Sequence, residues 1–261
     1  MDWSYLGTQF CLQIGFGTLL ALAFVPKAPV GILFYRVMGT AALVPILVAG
    51  VLPSVVGGLS WGDPAVICTW AGVLAYPLYT GPLRGVRWAI ALGWGLLTCV
   101  AALALTMQRG LELAPFPGFA LALFSALATG AVAGSVGLAM VLGHWYLTVP
   151  KLRVSHLGRL NTLTIGTMLA SLALVALTCL VFREELELAK TSLFGPWGLF
   201  HFGTRLVVGI LLPLLFAWMA KESLRYGNTR SATGILYAST VLVLIGVALS
   251  INLQGSYGLP L

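Results

Sequence analysis

The sequence predicts an all-α integral membrane protein. Of its 261 residues, 59% are hydrophobic and only 8% are charged, with a mean hydropathy of +1.00. No aqueous fold hides that much apolar surface. Apolar stretches of roughly 20 residues recur from end to end, each long enough at ~1.5 Å per residue to cross a hydrocarbon core of about 30 Å. Basic residues also concentrate in alternate loops, the charge pattern of a chain that crosses a bilayer repeatedly.

Eight transmembrane helices are expected, over 3–25, 32–56, 64–80, 88–106, 118–147, 162–182, 199–220 and 232–253. The first follows "MDWSY", which has no basic n-region, and ends in "LAFVPKAPVG" without a small-residue cleavage site, so it reads as a retained helix. Cys11, Cys68, Cys99 and Cys179 stand singly in apolar stretches with no C-x-x-C spacing, so no metal site is expected. The net charge of +7 is spread among short loops, a membrane pattern and not a nucleic-acid surface.

Lys27 with Arg36 just inside the next span, Arg84 with Arg87, Lys151 with Arg153 and Arg159, and Lys221 with Arg225 and Arg230 mark alternate connections. The intervening connections carry "GGLSWGDP", Arg109 with Glu112, and Arg183 and Lys190 against Glu184, Glu185 and Glu187. The positive-inside rule then places both termini outside and the basic loops in the cytoplasm; the membrane expected is a bacterial cytoplasmic (inner) membrane. Connections this short leave a single transmembrane domain, 1–261, with no room for an extramembrane one. "LAFVPKAPVGILFYRVMGT" and "WYLTVPKLRVSHLGRLNTL" each join two spans through Val-Pro, a Lys and an Arg. That likeness divides the domain into repeated four-helix halves, 1–115 and 116–261.

Polar residues inside the spans carry the functional reading. Arg205 lies about two turns into its helix, where an ionisable group is tolerated only against protein or water. Arg205, Gly209, Pro213 and Ala217 follow i, i+4 spacing, a strip of mostly small residues that suits a helix–helix contact. Arg205 is therefore expected to point inward, with His201 one turn nearer the surface on the same stripe. Gln9 and Gln13, also i, i+4, reach a similar depth, as do Thr69 and Trp70. Amides, a guanidinium, an imidazole and an aromatic ring around an apolar slot suit a quinone: its carbonyl oxygens need donors, its ring a flat wall, and its protons a carrier.

A second polar group is expected at the inner face. Gly130, Gly134, Gly137 and His144 share one helix face, with Tyr146 beside them. The adjoining loops add Arg159, Asn161, Arg225, Asn228 and Arg230, a set suited to anionic lipid head groups. A haem b is not expected, since His144 and His201 lie near opposite ends of their helices, about 20 Å or more apart at ~1.5 Å per residue.

The closing stretch, "RLVVGILLPLLF…TGILYASTVLVLIGVALS", resembles the membrane anchors of the polysulfide-reductase/DMSO-reductase family. That resemblance implies two four-helix halves, a quinone site toward the outer face, no haem, and partner subunits carrying iron–sulfur or haem centres. The leading expectation is a quinone-interacting membrane subunit of an electron-transfer complex with no redox metal of its own. A small-molecule transporter or channel is the alternative, weakened because no acidic residue lies inside a predicted span to couple a cation. A structural or assembly subunit without a site is the third.

Overall fold

The computed structural model describes residues 3–25, 30–81, 83–110, 118–149, 152–188, 193, 195–259 and 261. All regular structure among them is helical. Seven helices are long and apolar enough to cross a membrane. They are α1 (Trp3–Leu22), α2 (Ile32–Val55), α5 (Gly85–Gly110), α6 (Gly118–Thr148), α7 (Ser155–Val181), the helix running Pro196–Arg225, and α11 (Thr229–Tyr257).

The remaining predicted span, 64–80, forms two short helices, α3 (Pro64–Leu74) and α4 (Tyr76–Thr80), which meet at Ala75. Pro77 has no N–H to offer the preceding turn, and Ala75 closes α3 by tightened bonds to Gly72 and Val73 carbonyls. Asp63 starts α3 as a side-chain cap, accepting from the Ala65 N–H at 2.9 Å. The pair still runs the length of its neighbour α5. Asp63 is ion-paired to Arg109 at one end of α5, and the Trp88 indole donates to the Tyr79 carbonyl at the other, 3.1 Å away. The acidic segment after α7 folds as a one-and-a-half-turn helix, α8 (Arg183–Leu188).

The helix Pro196–Arg225 changes character midway. An α segment, α9 (Pro196–Leu206), passes into a π turn at Val207–Leu211 and then α10 (Leu212–Arg225). The Leu212 N–H reaches back to the Val207 carbonyl. Pro213, lacking an N–H, cannot continue the regular ladder at this point, and the widened turn accommodates it.

The helices associate as two rings. In the first, α1 packs on α2, α2 on α3, α3 on α5 and α5 on α1; in the second, α6 packs on α7, α7 on α10, α10 on α11 and α11 on α6. The seam between rings is chiefly α1 against α6. Gly17 and Gly134 set its closeness: a Cβ added to Gly134 would lie 1.8 Å from the Gly17 carbonyl carbon, and one on Gly17 would lie 1.7 Å from the Gly130 oxygen. Gly130 and Gly134 thus form the close-packing face expected of this helix. Gly137 and His144 do not belong to it: a Cβ on Gly137 would meet open space, and His144 is exposed. Gly143, on another side of the same helix, packs against Thr233 of α11.

Gln9 of α1 and Gln254 of α11 are hydrogen-bonded, so both chain termini lie at one end of the bundle, here the terminal end. Arg109 and Arg183 lie there, each ion-paired to a carboxylate. Arg84, Arg87, Arg153, Arg159, Arg225 and Arg230 lie at the opposite end, all exposed. Pro26, Lys27, Glu112, Pro150, Lys151 and Lys190, which figure in the loop and repeat expectations, fall outside the described residues.

Candidate functional site

Arg205 points inward. It is 2% exposed and is the largest fully buried side chain among the described residues. Gly209, Pro213 and Ala217, the rest of its i, i+4 strip, are buried with it. Its Nη2 donates to Thr129 Oγ1 of α6 at 3.0 Å and to Ser171 Oγ of α7 at 3.3 Å, while Nε has no partner. All four helices of the second ring meet here at one depth. Arg205, Thr129, Ser171 and Gly246 each lie roughly 13–17 Å along their helix from its terminal-end residue, at ~1.5 Å per residue. Glycine is required at the contact: a Cβ on Gly209 would lie 2.7 Å from the Gly246 Cα and 3.0 Å from Arg205 Nη1. A guanidinium this deep opposes insertion by about 2.5–3.5 kcal/mol on translocon scales, an expense that two neutral hydroxyls offset only in part.

The other residues expected around a quinone are not gathered at Arg205. His201 is half-buried; its Nδ1 lies 2.8 Å from the Trp197 carbonyl and its ring packs on Trp197 and Phe200, both exposed. Gln9 is fully buried, and its amide nitrogen donates to Gln254 Oε1. Gln13, 1% exposed, lies on the α1–α6 seam, its backbone against Gly130, and its Oε1 lacks a partner. Trp70 belongs to the first ring, where it packs on Gly50 and faces Trp61 at a centroid distance of 6.5 Å. Shared depth was legible in sequence, but rotation about each helix axis placed these groups at different seams.

The inner-face cluster also divides. His144 is exposed and its Nδ1 lies 3.4 Å from the Tyr237 hydroxyl. Tyr146 donates to the Arg153 carbonyl. Helix α7 begins before residue 162, so Arg159 and Asn161 are helical and not in a loop. Asn161 turns into the core and donates to the Ala217 carbonyl at 2.8 Å. Asn228 caps α11 by accepting from the Ser231 N–H at 3.0 Å, and Arg225 pairs with Glu222 at 2.8 Å. Arg159 and Arg230 remain exposed cations. Three of these polar residues thus serve the fold itself: Asn161 as an interhelical bond, Asn228 as a cap and Tyr146 as a tether.

A cavity of about 360 Å³ opens in the first ring, at the terminal end. Its walls come from all sides of that ring: Ser4, Tyr5 and Thr8 on α1, Ala49 and Pro53 on α2, Ala65, Val66 and Thr69 on α3, and Thr106 and Arg109 on α5. None of His201, Arg205, Gln9, Gln13 or Trp70 lines it. The hydroxyls of Thr8, Thr69 and Thr106 each donate to the carbonyl four residues back, at 2.7–2.8 Å, leaving oxygen lone pairs as acceptors. The donors are different groups. The Tyr5 hydroxyl is buried without a partner, and Arg109 is held at the rim by Asp63. An apolar slot with a few fixed donors and acceptors is the composition of a small-molecule site.

Sequence reasoning reached Thr69 but missed Tyr5, Asp63 and Arg109. The one available signal was Gly-Asp-Pro before an apolar run, which marks an N-cap and so fixes Asp63 at a helix entrance. No cluster of three or more metal-ligating side chains occurs among the described residues. Comparison with known proteins finds no matching family model, no matching curated protein and no matching solved structure.

Proposed function

We propose that this chain is a quinone-binding membrane subunit of an electron-transfer complex, contributing no redox metal, and that the quinone head group occupies the first-ring cavity. The observation that carries the reading is a cavity walled by every side of the first ring, with Tyr5, whose hydroxyl is buried without a partner among the described residues, the Thr8, Thr69 and Thr106 hydroxyls and an anchored arginine among its lining residues. A quinone carbonyl takes a hydrogen bond from Tyr5; the hydroxyls of the quinol donate to Thr8, Thr69 or Thr106. The apolar walls of Ala49, Pro53, Ala65 and Val66 hold the ring. Electrons would come from a partner subunit with iron–sulfur or haem centres, as the resemblance to the polysulfide-reductase/DMSO-reductase anchors implies.

The same reading includes eight crossings with both termini outside, in a bacterial inner membrane. Support comes from the path of α3 and α4 along α5, from the Gln9–Gln254 pair that brings the termini to one end, and from the exposed arginines at the other. Duplication of a four-helix unit is supported by the identical order of neighbours around the two rings.

The test is photolabelling of the protein in lipid nanodiscs with an azidoquinone, followed by peptide mapping. Labelling within 4–8 or 65–69, competed by unmodified quinone, is expected; labelling confined to other segments overturns the placement. Gentle extraction from the native membrane should also recover a metal-bearing partner. A transporter is the second reading, favoured by the break at Ala75 in the helix pair that also contributes to the cavity wall. Saturable uptake by proteoliposomes of the chain alone would favour it over the first.

A further inference from the structure

Among the described residues Arg205 has no carboxylate side chain as a hydrogen-bonded or ion-paired partner. Asp63 belongs to the other ring and holds Arg109, Glu184, Glu185 and Glu187 are exposed on α8, and Glu222 pairs with Arg225. A guanidinium stays charged in proteins, so the site carries a full positive charge away from water.

The hydrogen-bond inventory is just as one-sided. Thr129 and Ser171 accept from Arg205, yet neither hydroxyl has an acceptor for its own proton among the described residues. Ordinary helix hydroxyls nearby behave otherwise: Thr164 and Thr178 of α7 donate back to the Leu160 and Leu174 carbonyls. With Arg205 Nε unpartnered and Nη1 bonded to no acceptor among the described residues, donors outnumber acceptors around one positive charge. Water or a neutral carbonyl oxygen would accept those bonds but leave the charge uncompensated.

We propose that Arg205, Thr129 and Ser171 form a binding site for a small monovalent inorganic anion of the halide class, buried in the second ring. The anion neutralises Arg205 and accepts from the two hydroxyls, so it joins α6, α7 and α9 through one centre. The site is separate from the first-ring cavity and its occupancy does not require a quinone.

Chloride and bromide are the probes. The full-length protein in nanodiscs of zwitterionic lipid is unfolded thermally while sodium chloride or bromide replaces sodium gluconate at fixed ionic strength. A saturable rise in the unfolding midpoint is expected, absent in Arg205→Met, with half-saturation raised about tenfold in Ser171→Ala or Thr129→Val. Crystals grown in bromide should show an anomalous peak against the Arg205 guanidinium. A folded wild-type protein whose midpoint ignores halide, or an Arg205→Met protein with the wild-type response, overturns the proposal. If Arg205→Met does not fold, an unchanged half-saturation in both hydroxyl variants overturns it equally.

Discussion

Arg205 and Thr129, on α9 and α6, are joined by a 3.0 Å hydrogen bond at the buried centre of the second ring. It links helices that enter from the same end of the bundle, and it provides the shorter of the two hydroxyl partners of a guanidinium with no carboxylate. Thr129→Val keeps the shape and removes the acceptor. The expected loss is about 1–3 kcal/mol of stability, since a charged buried donor loses a partner. Ser171→Ala, at the longer bond, should lose less. Denaturant unfolding of both variants in micelles measures the order, and equal stability of Thr129→Val and wild type would refute the role.

Gly134→Ala should be more damaging than its one added methyl suggests. The new Cβ meets backbone of Gly17, which has no side chain to rotate away, so α1 and α6 must separate. A loss of about 1–3 kcal/mol is expected from such overpacking. Gly137→Ala serves as the control, because open space receives its Cβ. Comparable yield and melting temperature for the two variants would show that the glycine contact does not set the seam.

Tyr5→Phe removes the buried hydroxyl of a residue that lines the first-ring cavity and leaves the ring in place. Quinone affinity should fall about 3- to 10-fold, the equivalent of one hydrogen bond, with little change in stability because the hydroxyl has no protein partner to lose. Binding measured by tryptophan fluorescence quenching separates the two effects. Unaltered affinity would remove Tyr5 from the site.

Asp63→Asn tests the rim. The variant keeps an oxygen to cap α3 but removes the charge that holds Arg109. Quinone association should change in rate while α3 stays helical. A protein that loses fold instead would show the pair to be structural.

The proposed sidedness rests on the basic loops and is open to a direct test. An impermeant thiol reagent applied to intact cells should label a cysteine placed at Glu185 and spare one placed at Ser155, in a background lacking the native cysteines. The reverse pattern would invert the topology.

Composition and charge pattern were enough to determine a multi-pass helical membrane protein, because a bilayer accepts little else and leaves its thickness in the length of each apolar run. The inward direction of Arg205 was legible too, since i, i+4 spacing names the face that Gly209, Pro213 and Ala217 share with it. What surrounds that face was not. Thr129 and Ser171 are small hydroxyls scattered among apolar residues, and only the packing of α6 and α7 brings them to the guanidinium. Gln9, Gln13 and Trp70 went to different helix contacts and His201 stayed against Trp197 and Phe200 of its own helix, because sequence fixes height along a helix and tertiary contact fixes which neighbour each face meets. The same reason hid Tyr5 and Arg109: their cavity exists only where four helices leave a gap, and no single helix encodes it.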